Sequence, residues 1–448
     1  MRRGEMTLKL TKAVLVLATA VGLTACDIAG NNSDILPGDR EPIRPEEGYA
    51  GQISAEVAGS ADLRLPRARS NNAWSHTAGD ITNAPQHVAL AETISLAWTA
   101  EIGAGNDRRH RVTAEPVAER GRVFTLDSIG VVSAVSTEGA ILWQTDLATP
   151  GDASDASGGG LAVDGNSLYV SSAFGSLFAM DVETGTIRWK QELDASGIAA
   201  PTVAGGIVYV VDGKSKAWAI DTGTGRIKWT MSGVPSEQSF QGGAAPAIGR
   251  SLAIFPFANG DVQAVFRRGG FNRWSASISG TREGFAVSGI SEITAGPVLD
   301  SGRVYVGNNS GRIAALDATT GDRIWTAQHG TSGGIVPVGR NDLFTVSDQN
   351  QLMRLSAKTG QVIWSKQLPL YVNENVKRRS DIVVHNGPLL AGGRVLVASS
   401  DGMMRQFSVV DGSDLGSVAI PGGAASNPIV MDEVLYVVTG KGQLAAFR

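Results

Sequence analysis

Cysteine is all but missing: one residue, Cys26, in a chain of 448. That excludes an internal disulfide framework, a thiolate zinc site and an iron–sulfur cluster together. An excess of either charge is missing too. Thirty-nine Lys and Arg stand against 43 Asp and Glu, a net charge of -4, so no broad cationic surplus exists to displace phosphate counterions and no nucleic-acid partner is expected. Histidines are few and scattered (His76, His87, His110, His329, His385), with no pair at metal-ligand spacing. No segment sustains a helical period, which argues against a helical solenoid. Aromatics make up only 6%. Glycine, in contrast, is abundant: 56 of 448 residues, where about 7% is ordinary. So much glycine in a chain that is 42% hydrophobic marks a globular core with many tight turns.

The N-terminus accounts for the lone cysteine. Arg2, Arg3, Lys9 and Lys12 precede an apolar run of eleven residues, Ala13 to Leu23. A spanning helix needs about twenty, so the run is the core of a signal peptide over residues 1–25. The sequence Leu23-Thr24-Ala25-Cys26 resembles the bacterial lipobox, which implies cleavage before Cys26 and its acylation, hence membrane attachment through lipid chains. The alternative is an ordinary signal peptide with an incidental cysteine. Asp27 resembles the enteric signal for retention in the inner membrane, so it leaves open which membrane holds the anchor. Residues 26–93 lack both periodicities and carry Pro37, Pro42, Pro45, Pro66 and Pro85. They are expected to form a flexible tether, although Asn72, Trp74 and Gly79 resemble a segment that precedes several repeat propellers and packs its Trp on the body.

From residue 94 the chain repeats. One unit reads Pro297-Val298, Gly302, Val304-Tyr305-Val306, Gly311, Ala315-Leu316-Asp317, Thr320-Gly321 and Trp325; another has Pro201, Gly206, Val208-Tyr209-Val210, Ala219-Ile220-Asp221, Thr224-Gly225 and Trp229. The Tyr305 position recurs as Phe124, Tyr169, Tyr209, Ile254, Tyr305, Phe344, Leu396 and Tyr436, eight units spaced 39 to 52 residues apart. Within each unit, alternating β-branched runs separated by glycine turns predict four short strands. The expected fold is therefore all-β: an eight-bladed β-propeller over 94–448 with four-stranded antiparallel blades. The last unit ends after three strands, and the orphan strand Ile94 to Ile102 precedes the first. The N-terminal strand is thus expected to complete the last blade and leave no open edge.

Trp143, Trp189, Trp229, Trp274, Trp325 and Trp364 each follow a glycine by four residues, and Trp98 occupies the same place on the orphan strand. The period is that of the architecture, so these seven form a structural girdle between blades. Asp181, Asp221, Asp300 and Asp317 recur at repeat positions and read as turn acids. Ser157-Gly158-Gly159-Gly160 lacks the Gly-Lys-Ser/Thr end of a phosphate loop. Nothing converges as a catalytic set, so neither catalysis nor a cofactor nor a metal is expected.

The unit Ala-Leu-Asp-x-x-Thr-Gly-x-x-x-Trp resembles the tryptophan-docking repeat of quinoprotein dehydrogenases. It equally resembles the BamB family, lipoproteins of the bacterial β-barrel assembly machinery. One propeller, no second domain and a lipobox favour the latter. A quinoprotein oxidoreductase with pyrroloquinoline quinone, and a periplasmic ligand-binding propeller, are the alternatives; the only cysteine is committed to lipid, so the adjacent-cysteine disulfide of quinoproteins cannot form. The BamB resemblance implies a non-enzymatic scaffold on the periplasmic face of the outer membrane. Its implied partners are the periplasmic domains of BamA, other lipoproteins of the machinery and nascent outer-membrane β-barrel proteins.

Length variation concentrates in the connections from one blade's outer strand to the next blade's inner strand, and the loops to watch are Met231 to Ala245, Ser275 to Gly296 and Ser365 to Gly387. Insertions on one face of a repeat protein mark its binding side. The resemblance points to the same place. It implies BamA contacts through Ser239, Phe240 and Gln241, where the family has leucine and arginine at the last two, and through Glu292 and Thr294, where the family has aspartates. Phe240 is the expected apolar anchor and Glu292 a steering charge. Arg108-Arg109-His110-Arg111 and Lys377-Arg378-Arg379 lie in long connections, as solvated loops or as contacts for anionic headgroups.

Overall fold

The computed structural model describes residues 63–148, 157–197, 199–236, 243–278, 292–373, 375, 379 and 381–448. Cys26 and Asp27, with the signal peptide, lie outside them.

Eight antiparallel sheets follow one another round a ring. In each, alternation puts one set of apolar side chains toward each neighbouring blade, and the middle strands are largely buried: Val304, Tyr305 and Val306 are all at most 2% exposed. Seven apolar clusters result, most of them shared by adjoining blades. Leu96–Glu101 pairs antiparallel with Gln443–Phe447, so the N-terminal strand is the outer strand of the eighth blade, as expected. Ser95 and Arg448 exchange backbone hydrogen bonds at 2.7 and 2.9 Å, closing the seam.

The tryptophans dock forward. Each indole lies against the turn glycine of the following blade: Trp98 on Gly139, Trp143 on Gly185, Trp189 on Gly225, and so on to Trp364 on Gly412. Its Nε1–H donates to a carbonyl of that same blade, from Trp98 to Thr137 O at 3.1 Å to Trp364 to Val409 O at 3.3 Å. A Cβ at Gly360 would stand 2.5 Å from Trp325 Cε3, and φ there is +75°. Glycine is required twice over, by the turn and by the neighbour's indole. The seventh blade has Gly416 at the tryptophan position. The turn it would dock on does not exist, because the outer hairpin of the eighth blade is where the two chain ends meet. Three of the four turn acids behave as read: Asp181, Asp221 and Asp317 each accept two backbone N–H groups from the turn that follows, while Asp300 ends the strand Ile293–Asp300 in register with Arg303.

The tether requires a correction. Over its described part, residues 63–93, the chain is not free but runs as a strap across the face formed by the turns between inner strands. Asn71 O accepts from Asp432 N–H, Ala73 and Trp74 pair with Glu119 and Ala118, and Ser75 O accepts from Val163 N–H. His76 then meets Val203, Ile81 meets Ile248, Thr82 meets Leu299 and Val88 meets Leu390. The remaining blade, the sixth, has Gly339 beside Arg64 O. Trp74, at 4% exposed, is buried as the motif implied. Strap contacts are one or a few hydrogen bonds per blade, most of them to the backbone. They need no apolar period, and that is why the segment reads as linker.

Candidate functional site

Strand polarity sorts the loops. Connections between blades share one face with the turns between middle strands, and the strap covers the opposite face. The long connections expected to bind a partner therefore emerge together, away from the strap. Ser239, Phe240 and Gln241, together with Ser291, Lys377 and Arg378, lie outside the described residues.

Glu292 and Thr294 are described, and neither sits as expected. Glu292 is 5% exposed and borders a narrow cleft with Asp212, Gly213 and Phe257. Its carboxylate is not offered to solvent, so the steering role does not follow from its position. A loop acid is solvated by default; this one directly precedes the strand Ile293–Asp300 and is folded in with it. Thr294 lies inside that strand, half-buried, and its Oγ1 donates to Thr331 O of the next blade at 2.7 Å. It joins two blades and is not a loop contact.

Sequence reasoning missed a patch on the same face. Within the 365–387 connection, Tyr371 bridges Ile382 antiparallel, and Val372 N–H donates to Asp381 O at 2.9 Å. This small hairpin leaves Val372, Ile382 and Val384 about 60% exposed, while Val383 between the last two is buried. Arg379 covers the Tyr371 ring, 5.0 Å from its centroid. Val234, in the 231–245 connection, is 58% exposed. The alternation of Ile382, Val383 and Val384 in a supposed loop was the available signal. Of the other basic cluster, Arg108 and Arg111 are exposed. Asp107 organises it by accepting from the backbone N–H groups of Arg109 and His110 and pairing with the His110 ring at 2.8 Å. The His110 side-chain hydrogen bond holds the Asp107 carboxyl well below the usual range.

The ring axis holds a cavity of about 350 Å³. Its wall is mostly small: Ala114, Ala200, Ala245, Gly296 and Gly334 among others. Glu115 and His385 are the titratable groups among its described lining, with no Lys or Arg. Burial raises the Glu115 pKa and lowers that of His385. An aromatic tricarboxylate such as pyrroloquinoline quinone would meet no cation from these residues, so they do not fit it. Among the described residues no group of three or more His, Cys, Asp or Glu could hold a metal, and no helix is long and apolar enough to cross a membrane.

A family model described as outer membrane protein assembly factor BamB matches residues 128–329 and 309–448. The chain belongs to the BamB family. BamB of Yersinia pestis is 25% identical over 360 residues, covering 78% of this chain and 88% of that protein. BamB of Escherichia coli K12 is 25% identical over 358 residues with the same coverage. Burkholderia pseudomallei BamB is 26% identical over 364 residues, or 79% and 88%. Among solved structures, BamB of Moraxella catarrhalis superposes with a TM-score of 0.65 at 19% identity, over 80% of this chain and all of that one. A quinohemoprotein alcohol dehydrogenase from Pseudomonas putida HK5 gives 0.61 at 16% identity, over 85% and 80%. At such identities the likeness is of fold alone. The family is one of assembly factors, and it is on this membership that the non-enzymatic reading stands, not on the contents of the channel. The seven girdle tryptophans belong to the fold.

Proposed function

We propose that this protein is a lipid-anchored scaffold at the periplasmic face of the outer membrane, binding the periplasmic domains of BamA through the connection face. Cys26 carries the anchor, other lipoproteins of the machinery sit in the same complex, and nascent β-barrel proteins are the clients. The observation that carries this reading is the BamB family match across residues 128–448. Two features support the choice of face: length variation concentrates there, and Val234, Val372, Ile382 and Val384 place exposed aliphatic surface there. The cluster of Val372, Ile382 and Val384 on one connection suits a protein partner. Phe240 remains the proposed anchor. Glu292 leaves the contact set, and Thr294 is kept only as a support for the adjacent loop.

The test is a pull-down of the full chain from detergent-solubilised envelopes, read by mass spectrometry. Recovery of a BamA homologue, lost when Val372 and Ile382 are both changed to Asp or when Phe240 is changed to Ala, is the expected result. Recovery of no barrel-assembly component from wild type would overturn the proposal. Cys26→Ser tests the anchor separately: the variant should leave the membrane fraction with its propeller intact.

A further inference from the structure

The eight inner strands can be compared at one position, the residue before the repeat's proline site. Six blades place Gly, Ala or Ile there: Gly160, Ala200, Ala245, Gly296, Ile335 and Gly387. Blade 1 has Glu115 and blade 8 has Asn427, and these two neighbours are hydrogen-bonded, Asn427 Nδ2 donating to Glu115 Oε1 at 2.5 Å. A small residue satisfies the architecture at this position, so Glu115 is not there for packing. A carboxyl taken out of water is costly, and burial raises its pKa. Its other oxygen accepts a long hydrogen bond, 3.4 Å, from Ala78 N–H of the strap.

The strap floors the channel at this level, with Trp74, Ala78, Asn83 and Pro85 lining it, and exposed Val384 marks the other, open end. From the floor, Asn83 is anchored on blades 4 and 5, across the ring from Glu115. It is 4% exposed, and its Nδ2 donates to Ala245 O at 3.0 Å and Pro297 O at 3.1 Å. That uses both of its N–H bonds and leaves Oδ1 without a partner. Thr113 Oγ1, beside Glu115, has none either. The blind end of the channel thus has acceptors to spare. Among the buried side-chain atoms of its described lining, the unpartnered donors are Trp74 Nε1 and the Thr113 hydroxyl, which can equally accept. His385, the other titratable group in the wall, is already engaged on both ring nitrogens, with Ser399 Oγ at 2.7 Å and Pro369 O at 2.8 Å.

We propose that the blind end of the axial channel binds a primary ammonium group on a slender chain, with Glu115 as counter-ion and Thr113 beside it as a further acceptor. An ammonium carries three donors and no acceptor, which complements this set. A channel walled by Gly and Ala leaves room for an alkyl stem. The same chemistry is available from a free alkylamine or from a lysine side chain entering through the open end, on the face where the partner loops lie.

The full chain in detergent should be titrated calorimetrically with n-butylammonium and with N-acetyl-lysine amide, with tetramethylammonium as control. Saturable binding of the first is expected, and at a pH below the Glu115 pKa it releases that proton, read as a dependence on buffer ionisation heat. Affinity should rise with pH until Glu115 is ionised in the free protein. Glu115→Gln keeps an acceptor for Asn427 and should weaken binding by about tenfold or more with an unchanged melting temperature at acid pH. Binding of the lysine derivative as well assigns the source to a partner side chain; binding of butylammonium alone assigns it to free amines. No saturable heat with either amine, or equal affinities in wild type and Glu115→Gln, would overturn the proposal. Glu115 would then only anchor the strap, and water would occupy the spare acceptors.

Discussion

Acid should lift the strap before it melts the ring, and His76 sets the scale. The residue is buried at 4% exposed. Its Nε2 accepts the Val203 N–H at 3.1 Å while its Nδ1 meets Ser75 Oγ at 2.8 Å. Protonation of Nε2 would set an N–H against an N–H inside a dry contact. Burial lowers the pKa from 6.5 to about 4. In a released strap the imidazole takes its proton near 6.5; in the docked strap it resists until about 4. The contribution to docking is therefore fully present above 6.5 and lost as pH falls toward 4. At about 1.4 kcal/mol per pH unit the loss is about 3 kcal/mol, roughly a hundredfold in the docking equilibrium. His385, whose pKa burial also lowers, acts in the same direction within the ring; Glu115, whose pKa is raised, acts in the opposite one. Comparison with His76→Gln, which keeps an acceptor for Val203 and cannot titrate, isolates the strap. Hydrogen exchange of peptides covering residues 71–90, corrected for intrinsic rates, should show strap protection falling on acidification in wild type and far less in the variant. Equal protection at about pH 7 and about pH 4.5 in wild type would refute the argument.

Four further outcomes are expected. Gly360→Ala should lower the midpoint of urea unfolding nearly as much as Trp325→Ala, for which about 3–5 kcal/mol is the expected loss, because both undo one docking contact. The side chain of Arg354, 0% exposed, pairs with Asp342 at 2.9 Å, so Asp342→Ala should cost about 3–5 kcal/mol by leaving a buried guanidinium unpaired, with Asp342→Asn less severe in the same denaturation assay. Deleting Leu96–Glu101 should bare the edge of Gln443–Phe447 and produce aggregation in light scattering. Phe240→Ala should weaken binding to BamA's periplasmic domains by at least about tenfold with an unchanged melting temperature, whereas Glu292→Arg should destabilise the fold, since Glu292 is buried.

What could be read from the sequence was what repeats. Eight units, the closing strand and the tryptophan girdle all follow from local rules restated every blade, so one unit vouches for the others. The docking partner of each tryptophan was hidden. Gly321 and Trp325 sit four apart in one blade, yet Gly321 receives Trp274 and Trp325 lands on Gly360. The strap was hidden for a different reason: Ser75, Ile81, Thr82 and Val88 meet the blades through main-chain atoms, which leave little trace in side-chain chemistry. Glu292 was misplaced because charge in a long connection defaults to solvent, and only the packing of the following strand reverses that. Glu115 was within reach, since aligning the chain's own repeats exposes an acid where six units carry Gly, Ala or Ile.

The strap also determines how the ring meets tension. The strand Leu96–Glu101 is the one outer strand not joined by a turn to its neighbour, and it follows the strap directly in the chain. A pull from the N-terminal side first meets Arg69, bonded to His87 and Ala89 at the strap's own far end, then Asn71, Trp74, Ser75, His76 and Ile81, before any load falls on Leu96. From Asn71 on these bonds lie on successive blades, so they are peeled one at a time and the ring turns beneath the force as each gives way. The strap works as a cable gland: it spreads a load over the casing and keeps the closing joint slack until the last fastening has gone.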